Sequence, residues 1–342
     1  MSKILKISEL EQEKIERVVS ILKEGKIVVL PTETVYGFGC DFYNESAKKK
    51  LTEIKKRPEN KPFPVAVFDK SQIEEFLFPL PTLGYKLIRE FLPGPLTLVF
   101  KIDDEKNLAF RMPKDKVTLK ILERFSKPVA LTSVNISGQA PLTDIAKIEE
   151  VFGKDVEIIV ESGVPQIGIA STVCFVKDKE FEILREGPIK KEDIQKVKDT
   201  KNVLFVCTGN SCRSVMCEYL LKKYGRSNIK VDSCGLYAFE GAPASALAIE
   251  LLKKEGIQIS HRAKKCDAEL FKYQDYIFVM ENMHKESIIK DFPHLKDRVF
   301  LLAEFVKGEA KNIVDPIAKP AEVYEEVFRE IKDMIIKLSE IL

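Results

Sequence analysis

The stretch from residue 203 to residue 214 restricts the fold of this chain more than any other. Four apolar residues lead into Cys207, five mostly small residues follow, and then come Arg213 and a sequence that favours a helix. This order predicts a buried strand, a tight loop and the start of a helix. Such a loop can wrap around a tetrahedral oxyanion, because its backbone N–H groups and the helix N-terminus point to the same place.

Strands and helices continue to alternate after this loop. We expect strands near 229–233 and 276–280, helices near 214–224 and 243–255, and a closing helix from about residue 321. Strands that are separated by helix-length segments usually pair in parallel, with helices on both faces of the sheet. The fold class predicted for this part of the chain is therefore α/β.

The residues before the loop predict a second α/β domain, because 342 residues exceed one typical hydrophobic core. A helix is expected over 10–24. The expected strands are 27–30, 65–68, 97–101, 129–132, 157–160, 171–176 and 181–184. A polar, lysine-rich segment after Gly187 is expected to separate the domains. We predict domains at 1–190 and 201–342 with a linker at 191–200.

The composition is that of a globular chain without a strong charge. Apolar residues make up 45% and charged residues 32%, and the formal net charge of +2 gives no electrostatic footprint for duplex nucleic acid. No apolar run approaches the roughly 20 residues that span a bilayer, and the N-terminal residues lack the apolar core of a secretory signal. The seven cysteines show no C-x-x-C pairing, so we expect reduced thiols and no zinc site. These features predict a cytoplasmic protein that binds no membrane.

The loop residues supply the chemistry of a cysteine nucleophile. A free thiol is mostly protonated at neutral pH, and a helix N-terminus favours the thiolate. Arg213 offers a planar guanidinium that fits two phosphate oxygens and the charge of a phosphoryl transition state. Gly209 and Asn210 suit a strained loop, and Ser214 can donate to the thiolate. The other members of the candidate phosphate loop are Thr208, Ser211 and Cys212.

Residues 201–342 resemble the low-molecular-weight protein phosphatase family. The resemblance runs through the loop and then through 233–236, 256–262, 275–280 and the pair Asp315-Pro316. It implies a four-stranded parallel sheet and a phosphocysteine intermediate on Cys207. It also implies Asp315 as the general acid that protonates the leaving group, and then as the base that activates water.

Two positions bear on the substrate. Ser211 is small where phosphotyrosine-specific members tend to carry a bulkier aliphatic residue, and Ile317 stands where they commonly carry an aromatic one. Both features weaken the case for aryl phosphates and resemble the bacterial protein-arginine phosphatases. The expected partners are therefore phosphoproteins, with phosphoarginine preferred over phosphotyrosine.

A different reaction class is the alternative for this domain. The loop also resembles that of thioredoxin-linked arsenate reductases, which need two further cysteines about 70 to 80 residues after the nucleophile. The window 279–286 contains no cysteine, which favours hydrolysis. Cys212 either packs in the core or traps oxidised Cys207 as a reversible disulfide, because thiolates of this kind oxidise readily.

The first domain has neither a G-x-x-x-x-G-K-[ST] loop nor a G-x-G-x-x-G turn. It carries cations and hydroxyls at strand ends and turns, in an arrangement that can converge on a polyanion. These stretches are 31–39, 55–62, 91–97, 111–113, 132–138, 171–173 and 184–187. Ser133 and Asn135 alternate in one extended segment, so we expect their side chains on the same side and within hydrogen-bonding reach.

Together these stretches closely resemble the threonylcarbamoyl-AMP synthase family over about residues 10–195. The resemblance implies an open, twisted α/β sheet with a concave, positively charged face. It implies that L-threonine, bicarbonate and ATP are joined into threonylcarbamoyl-AMP and pyrophosphate, the precursor for modifying adenosine 37 of tRNA. It assigns threonine binding to Thr34, Arg111 and Ser171, and ATP binding to Lys55, Arg57, Lys61, Ser133, Asn135 and Arg185.

The remaining expectations concern cofactors and partners. ATP is expected as a substrate that brings Mg²⁺ with it, because the sequence shows no carboxylate cage for a resident metal. Downstream tRNA-modification proteins are the expected partners. The alternative is a non-catalytic module that binds double-stranded RNA or tRNA, which the near-neutral charge does not favour.

Overall fold

The computed structural model describes residues 3–7, 11–58 and 61–342, and the chain divides into two compact units. The first comprises residues 1–197 and the second 198–342. The segment that we predicted as a linker contains the helix Lys191–Asp199. In the described part of the chain, no helix combines the length and the apolar character that a membrane crossing requires.

A mixed sheet is the frame of the first unit. Its strands are β1 (Ile4–Lys6), β2 (Val28–Leu30), β3 (Gly37–Asp41), β4 (Val65–Ala66), β5 (Leu96–Lys101), β6 (Asn107–Arg111), β7 (Val129–Ser133), β8 (Ile158–Glu161), β9 (Thr172–Lys177) and β10 (Glu180–Arg185). Their order in space is β1-β8-β2-β3-β7-β4-β6-β5-β9-β10. Strand β3 is antiparallel to both β2 and β7, whereas β5 and β9 are parallel. The predicted α/β class is confirmed.

Helices cover both faces of this sheet. The helices before residue 200 are α1 (Gln12–Lys23), α2 (Glu45–Lys55), α3 (Ser71–Glu74), α4 (Thr82–Phe91), α5 (Lys116–Phe125), α6 (Ile145–Phe152) and α7 (Lys191–Asp199), the last of which runs across the boundary between the units. Successive strand residues point to opposite faces, so β2 contributes to two cores. Val28 and Leu30 belong to one core with residues of α1 and α5. Val29 belongs to the other, with residues of α2 and α6.

The sequence patterns did not predict strands β1, β3 and β6. Strand β3 is the most instructive, because glycine disfavours strands and this one contains two. A Cβ on Gly37 would lie 2.8 Å from Leu131 Cδ1, and a Cβ on Gly39 would lie 3.3 Å from Leu30 Cδ1. The glycines are present because the neighbouring side chains fill the space that a Cβ would occupy.

The second unit is built on four parallel strands, as predicted. The strands are β11 (Lys201–Cys207), β12 (Ile229–Gly235), β13 (Tyr276–Val279) and β14 (Val299–Leu301), in the order β12-β11-β13-β14. All three neighbouring pairs are parallel. The helices are α8 (Arg213–Tyr224), α9 (Ala246–Lys254), α10 (Ala268–Lys272), α11 (Asn282–Asp291), α12 (Leu302–Lys307) and α13 (Ala321–Ile341), with a 3-10 helix at Pro293–Arg298.

Strand β11 is central in this sheet and carries the nucleophile at its carboxyl end. Phe205 and Phe278 pack into the core formed with α8 and α13. Leu204 and Val206 point to the opposite core, which contains Phe271 of α10. Burial on both faces fixes the end of β11, and so fixes where the loop after it begins.

The expectation that all seven cysteines are reduced thiols is wrong for two of them. Cys234 and Cys266 form a disulfide with their Cα atoms 5.2 Å apart, while Cys40, Cys174, Cys207, Cys212 and Cys217 are free. The pair forms because the segment before α10 runs beside the end of β12, where Gly235 and Lys265 make a parallel bridge. A sequence separation of 32 residues gives no sign of this proximity.

Candidate active sites

The loop after β11 closes around the sulfur of Cys207. Asn210 adopts a left-handed conformation with φ of 51°, and its backbone N–H donates to Cys207 Sγ at 3.2 Å. Ser214 Oγ, in the first turn of α8, lies 3.0 Å from the same sulfur. Two groups that can stabilise a thiolate therefore converge on Cys207, whose side chain is almost fully buried.

Asn210 is held in its unusual conformation from several sides. Its side-chain amide donates to Ser214 Oγ at 3.0 Å and to Ser233 Oγ at 2.8 Å. Its side-chain oxygen accepts from the backbone N–H of Lys264 at 2.8 Å. Ser233 in turn donates to Glu218 at 2.5 Å. This buried polar layer beneath the loop fixes its shape, since each group in it has a partner.

Arg213 is buried and bound by two carboxylates. Its Nη1 donates to Glu281 at 2.6 Å and to the carbonyl of Ile313 at 2.8 Å. Its Nη2 donates to Asp315 at 2.5 Å. The guanidinium is thus anchored through Nη1, while Nη2 donates a hydrogen bond to Asp315, the expected general acid. A buried arginine needs such compensation, because an unpaired charge in the interior is costly.

His284 lies behind this arginine. Its Nε2 is 2.9 Å from Thr208 Oγ1, and its Nδ1 is buried without a hydrogen-bond partner among the described residues. Burial lowers the pKa of His284, although Glu281 nearby opposes that shift. The neutral ring therefore fits the geometry better than the imidazolium.

The outer part of the loop faces different surroundings. Cys212 is buried and lies 3.2 Å from Ser245 Oγ and 3.3 Å from the Tyr324 hydroxyl. Burial raises the pKa of Tyr324 to about 12, so this hydroxyl stays protonated. Ile317, two residues after the expected general acid, is 53% exposed, so an aliphatic side chain is presented to solvent there.

The first unit contains a cavity of about 950 Å³. Of the nine residues that we expected to bind substrates there, eight line it: Lys55, Arg57, Lys61, Arg111, Ser133, Asn135, Ser171 and Arg185. The ninth, Thr34, is reached through Arg111, whose Nη2 donates to Thr34 Oγ1 at 2.6 Å. Seven separated stretches of sequence thus meet at one place.

The end of α2 supplies one side of this cavity. Lys56 adopts a left-handed conformation with φ of 47°, which ends the helix and redirects the chain. Lys55 Nζ is buried and donates to the carbonyl of Ser133 at 2.5 Å, and to the Asn135 carbonyl and side-chain oxygen at 3.0 and 2.8 Å. All three of its donors are used in shaping the cavity wall. Burial lowers the pKa of Lys55 to about 8.

The neighbouring cations are more open to a ligand. Arg57 donates to the carbonyls of Lys61 and Pro62 at 2.9 and 2.7 Å and lies over the ring of Phe63 at 4.9 Å. Its partners are neutral, so its positive charge is not cancelled by a carboxylate. Ser133 Oγ donates to Asn135 Oδ1 at 2.7 Å, the contact that their alternation predicted.

Arg111 organises the opposite side. Its Nη2 also forms an ion pair with Glu33 at 2.8 Å, and Thr32 and Thr34 share a hydroxyl contact of 2.9 Å beneath it. Its Nε is buried without a partner, as is the hydroxyl of Ser137 on the cavity wall, within the residues that the structure describes. Because buried donors are nearly always paired, these two atoms are candidates for contacts with a ligand.

A third group connects β5, β9 and β10. Ser171 Oγ lies 2.8 Å from Thr97 Oγ1, and Arg185 donates through Nε and Nη2 to the Ser171 carbonyl at 3.0 and 2.8 Å. The parallel pairing of Thr97 with Val173 sets this proximity. Arg185 thus places a second guanidinium with neutral partners at the cavity.

Several residues in these sites were not singled out by the sequence. In the first unit they are Glu33, Thr97 and Ser137, and in the second they are Glu218, Ser233, Glu281 and His284. Six of the seven lie inside or beside the quoted motifs, which was the available signal, whereas Glu218 lies within α8. Over residues 3–7, 11–58 and 61–342, no group of three or more His, Cys, Asp or Glu side chains is arranged to hold a metal.

These geometries define two classes of site: a cysteine-centred phosphate loop with an arginine and a carboxylate, and a cationic cavity for a polyanionic ligand. A family model described as low molecular weight phosphotyrosine protein phosphatase matches residues 202–342. A model for Sua5, yciO and yrdC proteins, described as telomere recombination, matches residues 20–187. Both resemblances inferred from the sequence are confirmed.

Individual relatives divide in the same way. A protein-arginine-phosphatase of Geobacillus stearothermophilus is 39% identical over 138 residues, which cover 40% of this chain and 93% of that protein. A putative threonylcarbamoyl-AMP synthase of Methanocaldococcus jannaschii is 34% identical over 203 residues, covering 56% of this chain and 96% of that protein. The chain also spans 61% of the threonylcarbamoyl-AMP synthase of Pyrococcus abyssi, with 34% identity over 207 residues and 58% of this chain covered. The chain belongs to two enzyme families, the threonylcarbamoyl-AMP synthases in its first unit and the low-molecular-weight phosphatases in its second.

Proposed function

We propose that the chain is a bifunctional enzyme whose first unit makes threonylcarbamoyl-AMP and pyrophosphate from L-threonine, bicarbonate and ATP. The observation that carries this proposal is the pair of unpartnered buried donors, Arg111 Nε and Ser137 Oγ, in a cavity lined by cations. The relatives of this unit are named as synthases of this product. The product then passes to proteins that modify adenosine 37 of tRNA.

The cavity residues divide the substrates between two sides. Arg111, Thr34 and Ser171 bind threonine, since a guanidinium beside hydroxyls fits a carboxylate next to a hydroxyl. Arg57, Lys61 and Arg185 neutralise the triphosphate, with Ser133 and Asn135 beside them. The threonine amine first adds to bicarbonate with loss of water to give a carbamate, and an oxygen of this carbamate then attacks the α-phosphorus as pyrophosphate leaves. Positioning and charge neutralisation supply the catalysis, and Mg²⁺ arrives with ATP as part of the substrate.

The test measures pyrophosphate release by the full chain with each substrate omitted in turn. We expect release to require ATP, threonine and bicarbonate together. Release that continues unchanged without threonine would overturn the proposal. Binding of double-stranded RNA or tRNA without any threonine-dependent release would favour the binding-module alternative.

For the second unit we propose hydrolysis of phosphoproteins through a phosphocysteine. The Cys207 thiolate attacks phosphorus, Arg213 stabilises the equatorial oxygens, and Asp315 protonates the leaving group. Asp315 then accepts a proton from the water that cleaves the S–P bond. Asp315 accepts a hydrogen bond from Arg213 Nη2 at 2.5 Å. Phosphate must therefore displace this carboxylate from the arginine, which releases the acid when substrate arrives.

We propose phosphoarginine as the preferred substrate. The support is the small Ser211 in the loop, the aliphatic exposed Ile317 beside the general acid, and the naming of the 39% identical relative as a protein-arginine-phosphatase. The test compares phosphoarginine, phosphotyrosine and arsenate with the full chain at matched concentrations. We expect the highest kcat/KM for phosphoarginine. A higher value for phosphotyrosine would overturn the preference, and thiol-dependent arsenate reduction would favour the reductase alternative.

A further inference from the structure

Two chain segments hold Asn210, and the disulfide joins them. One is 233–237, the end of β12 and the residues after it, and the other is 261–266, before α10. We call these two segments the Asn210 clamp. The bond between Cys234 and Cys266 connects them directly beside the phosphate loop. Nothing in the hydrolytic mechanism uses this bond, so its position calls for an explanation.

The first segment of the clamp supports the loop at its backbone. Leu236 N–H donates to the Cys207 carbonyl at 3.0 Å, and Tyr237 N–H donates to the Thr208 carbonyl at 2.9 Å. Gly235 packs so closely that a Cβ there would lie 2.7 Å from both Asn210 N and Thr208 O. Small movements of this segment are therefore transmitted to the loop.

The second segment holds Asn210 through less regular structure. Lys264 N–H donates to Asn210 Oδ1 at 2.8 Å, and His261 Nε2 lies 2.9 Å from the Asn210 carbonyl oxygen. Backbone bonds to Gly235 and Ala242 and the ion pair of Lys264 with Asp232 fix the segment. The disulfide is the covalent tie among these contacts, and the segment forms no helix and only a single bridge.

We propose that the Cys234–Cys266 disulfide is a thiol-exchange site that controls the phosphatase loop. This inference rests on the function proposed for Cys207. A dithiol reductant attacks Sγ of Cys266, which is partly exposed whereas Cys234 is fully buried. Cys234 leaves as a thiolate and takes up a proton. The second thiol of the reductant then displaces Cys266, so two electrons and two protons reduce the bond and the reductant becomes a disulfide.

Reduction has a defined structural consequence. Without the bond, the segment 261–266 can move away from β12, and the N–H of Lys264 leaves Asn210 Oδ1. Asn210 then loses one of the side-chain contacts that hold its left-handed backbone, and its own N–H no longer points steadily at Cys207 Sγ. Misplacing a catalytic contact by about 1 Å can cost up to roughly 100-fold in rate, so we expect kcat/KM to fall between about 10-fold and 100-fold.

The experiment uses the full chain in buffers of defined dithiol-to-disulfide ratio, with every cysteine assigned by alkylation and mass spectrometry. Comparison is restricted to samples in which Cys207 and Cys212 are both free thiols. Activity is measured before alkylation. We expect phosphatase activity to fall as the fraction of Cys234 and Cys266 found as free thiols rises, and backbone hydrogen exchange in 207–214 to accelerate. Pyrophosphate release by the first unit is the internal control and should not change.

Single variants separate the bond from packing. Cys234→Ala and Cys266→Ala remove the same bond from a buried and a partly exposed position, so both should match the reduced protein and neither should respond to reductant. Full reduction of the disulfide without a change in backbone hydrogen exchange in 207–214 overturns the proposal. A loss of phosphatase activity in Cys234→Ala but not in Cys266→Ala also overturns it. If the unmodified chain hydrolyses no phosphate ester or phosphoarginine, the proposed function fails, and hydrogen exchange still decides whether the disulfide controls the loop.

Discussion

The arginine of the phosphate loop and two arginines of the cavity in the first unit, Arg57 and Arg185, have opposite kinds of partner. In the phosphate loop, Arg213 is buried and already paired with Glu281 and Asp315, so a substrate has to compete for it. In the cavity of the first unit, Arg57 and Arg185 donate to neutral carbonyls, and their charge is available. The first arrangement suits a covalent step in which the carboxyl of Asp315 has to leave Arg213 before it can protonate the leaving group. The second suits the binding of a highly charged substrate.

The sites also differ in how their residues are distributed. The loop gathers its nucleophile, its amides and its arginine from one short stretch, 207–214, whereas the cavity is assembled from stretches that span 32–185. In the loop the proposed covalent step depends on Cys207 alone, whereas in the cavity several residues together bind the proposed substrates. Single substitutions should therefore have unequal effects, which the following experiments measure.

The largest effect is expected from Cys207→Ser. A serine hydroxyl is a poor nucleophile in a site built for a thiolate, so phosphatase kcat should fall by roughly 10⁴-fold or more. Hydrolysis of p-nitrophenyl phosphate and threonine-dependent pyrophosphate release should be measured on the same preparation. The second activity should be unchanged. Full phosphatase activity in this variant would show that the nucleophile is assigned wrongly.

Asp315→Asn should have the next largest effect. The amide cannot protonate a leaving group, and general acid catalysis contributes roughly 10²–10⁴-fold. We expect a loss of that size in kcat for phosphoarginine, and a smaller loss for p-nitrophenyl phosphate, whose leaving group needs less protonation. Equal losses on both substrates would indicate that the variant disturbs Arg213 instead. Inorganic phosphate inhibition constants provide the control for binding.

Arg111→Lys tests the cavity. The ammonium keeps the charge but loses the planar fork that faces Glu33 and Thr34. Hydrogen bonds to charged groups contribute about 1.5–3 kcal/mol, so KM for threonine should rise by roughly 10-fold to 100-fold. KM for ATP should change little. The measurement is therefore the change in KM for threonine divided by the change in KM for ATP. An equal rise for both substrates would contradict the assignment of Arg111 to threonine.

The smallest effect is a pH dependence at Lys55. Burial lowers its pKa to about 8, so the side chain is charged below that pH and loses its charge as the pH rises through it. The neutral amine has only two N–H donors and must give up one of its three contacts with Ser133 and Asn135, so the wall beside the ATP-binding residues loosens and KM for ATP should rise a few-fold above pH 8. In Lys55→Arg the guanidinium stays charged, so the rise in KM for ATP near pH 8 should disappear, whatever the absolute value of that KM. Persistence of the inflection in that variant would assign it to another group.

The sequence predicted the parts of the fold that depend on local patterns. Buried strands such as 203–206 and 129–132 appeared because apolar runs are flanked by turn residues, and the structure places β11 and β7 there. Strand β3 was missed because its glycines mark close packing against Leu131, which lies far away in the sequence. The observed strand ends differ from the predicted ones by a few residues, because pairing partners that are distant in the sequence determine where a strand ends more than local propensity does.

The candidate sites divide along similar lines. Cys207, Asn210 and Ser214 were predictable because the loop is contiguous, and the structure brings their polar atoms together. Glu281 and His284 were not, because a glutamate and a histidine near the start of a helix are ordinary surface residues until the fold buries them. The disulfide was missed because its two cysteines become neighbours only through the pairing of segments from different parts of the chain.

The anchoring of Arg213 has a consequence for a chain that leaves the ribosome amino terminus first. Every residue that lines the cavity of the first unit has been made once Arg185 has been added. The arginine of the phosphate loop still waits for Glu281, Ile313 and Asp315. A nascent chain therefore holds all the lining residues of this cavity by residue 185, whereas the anchors of Arg213 are complete only when Asp315 has been added. A chain that ends before Glu281 lacks both carboxylates that neutralise the buried Arg213 guanidinium.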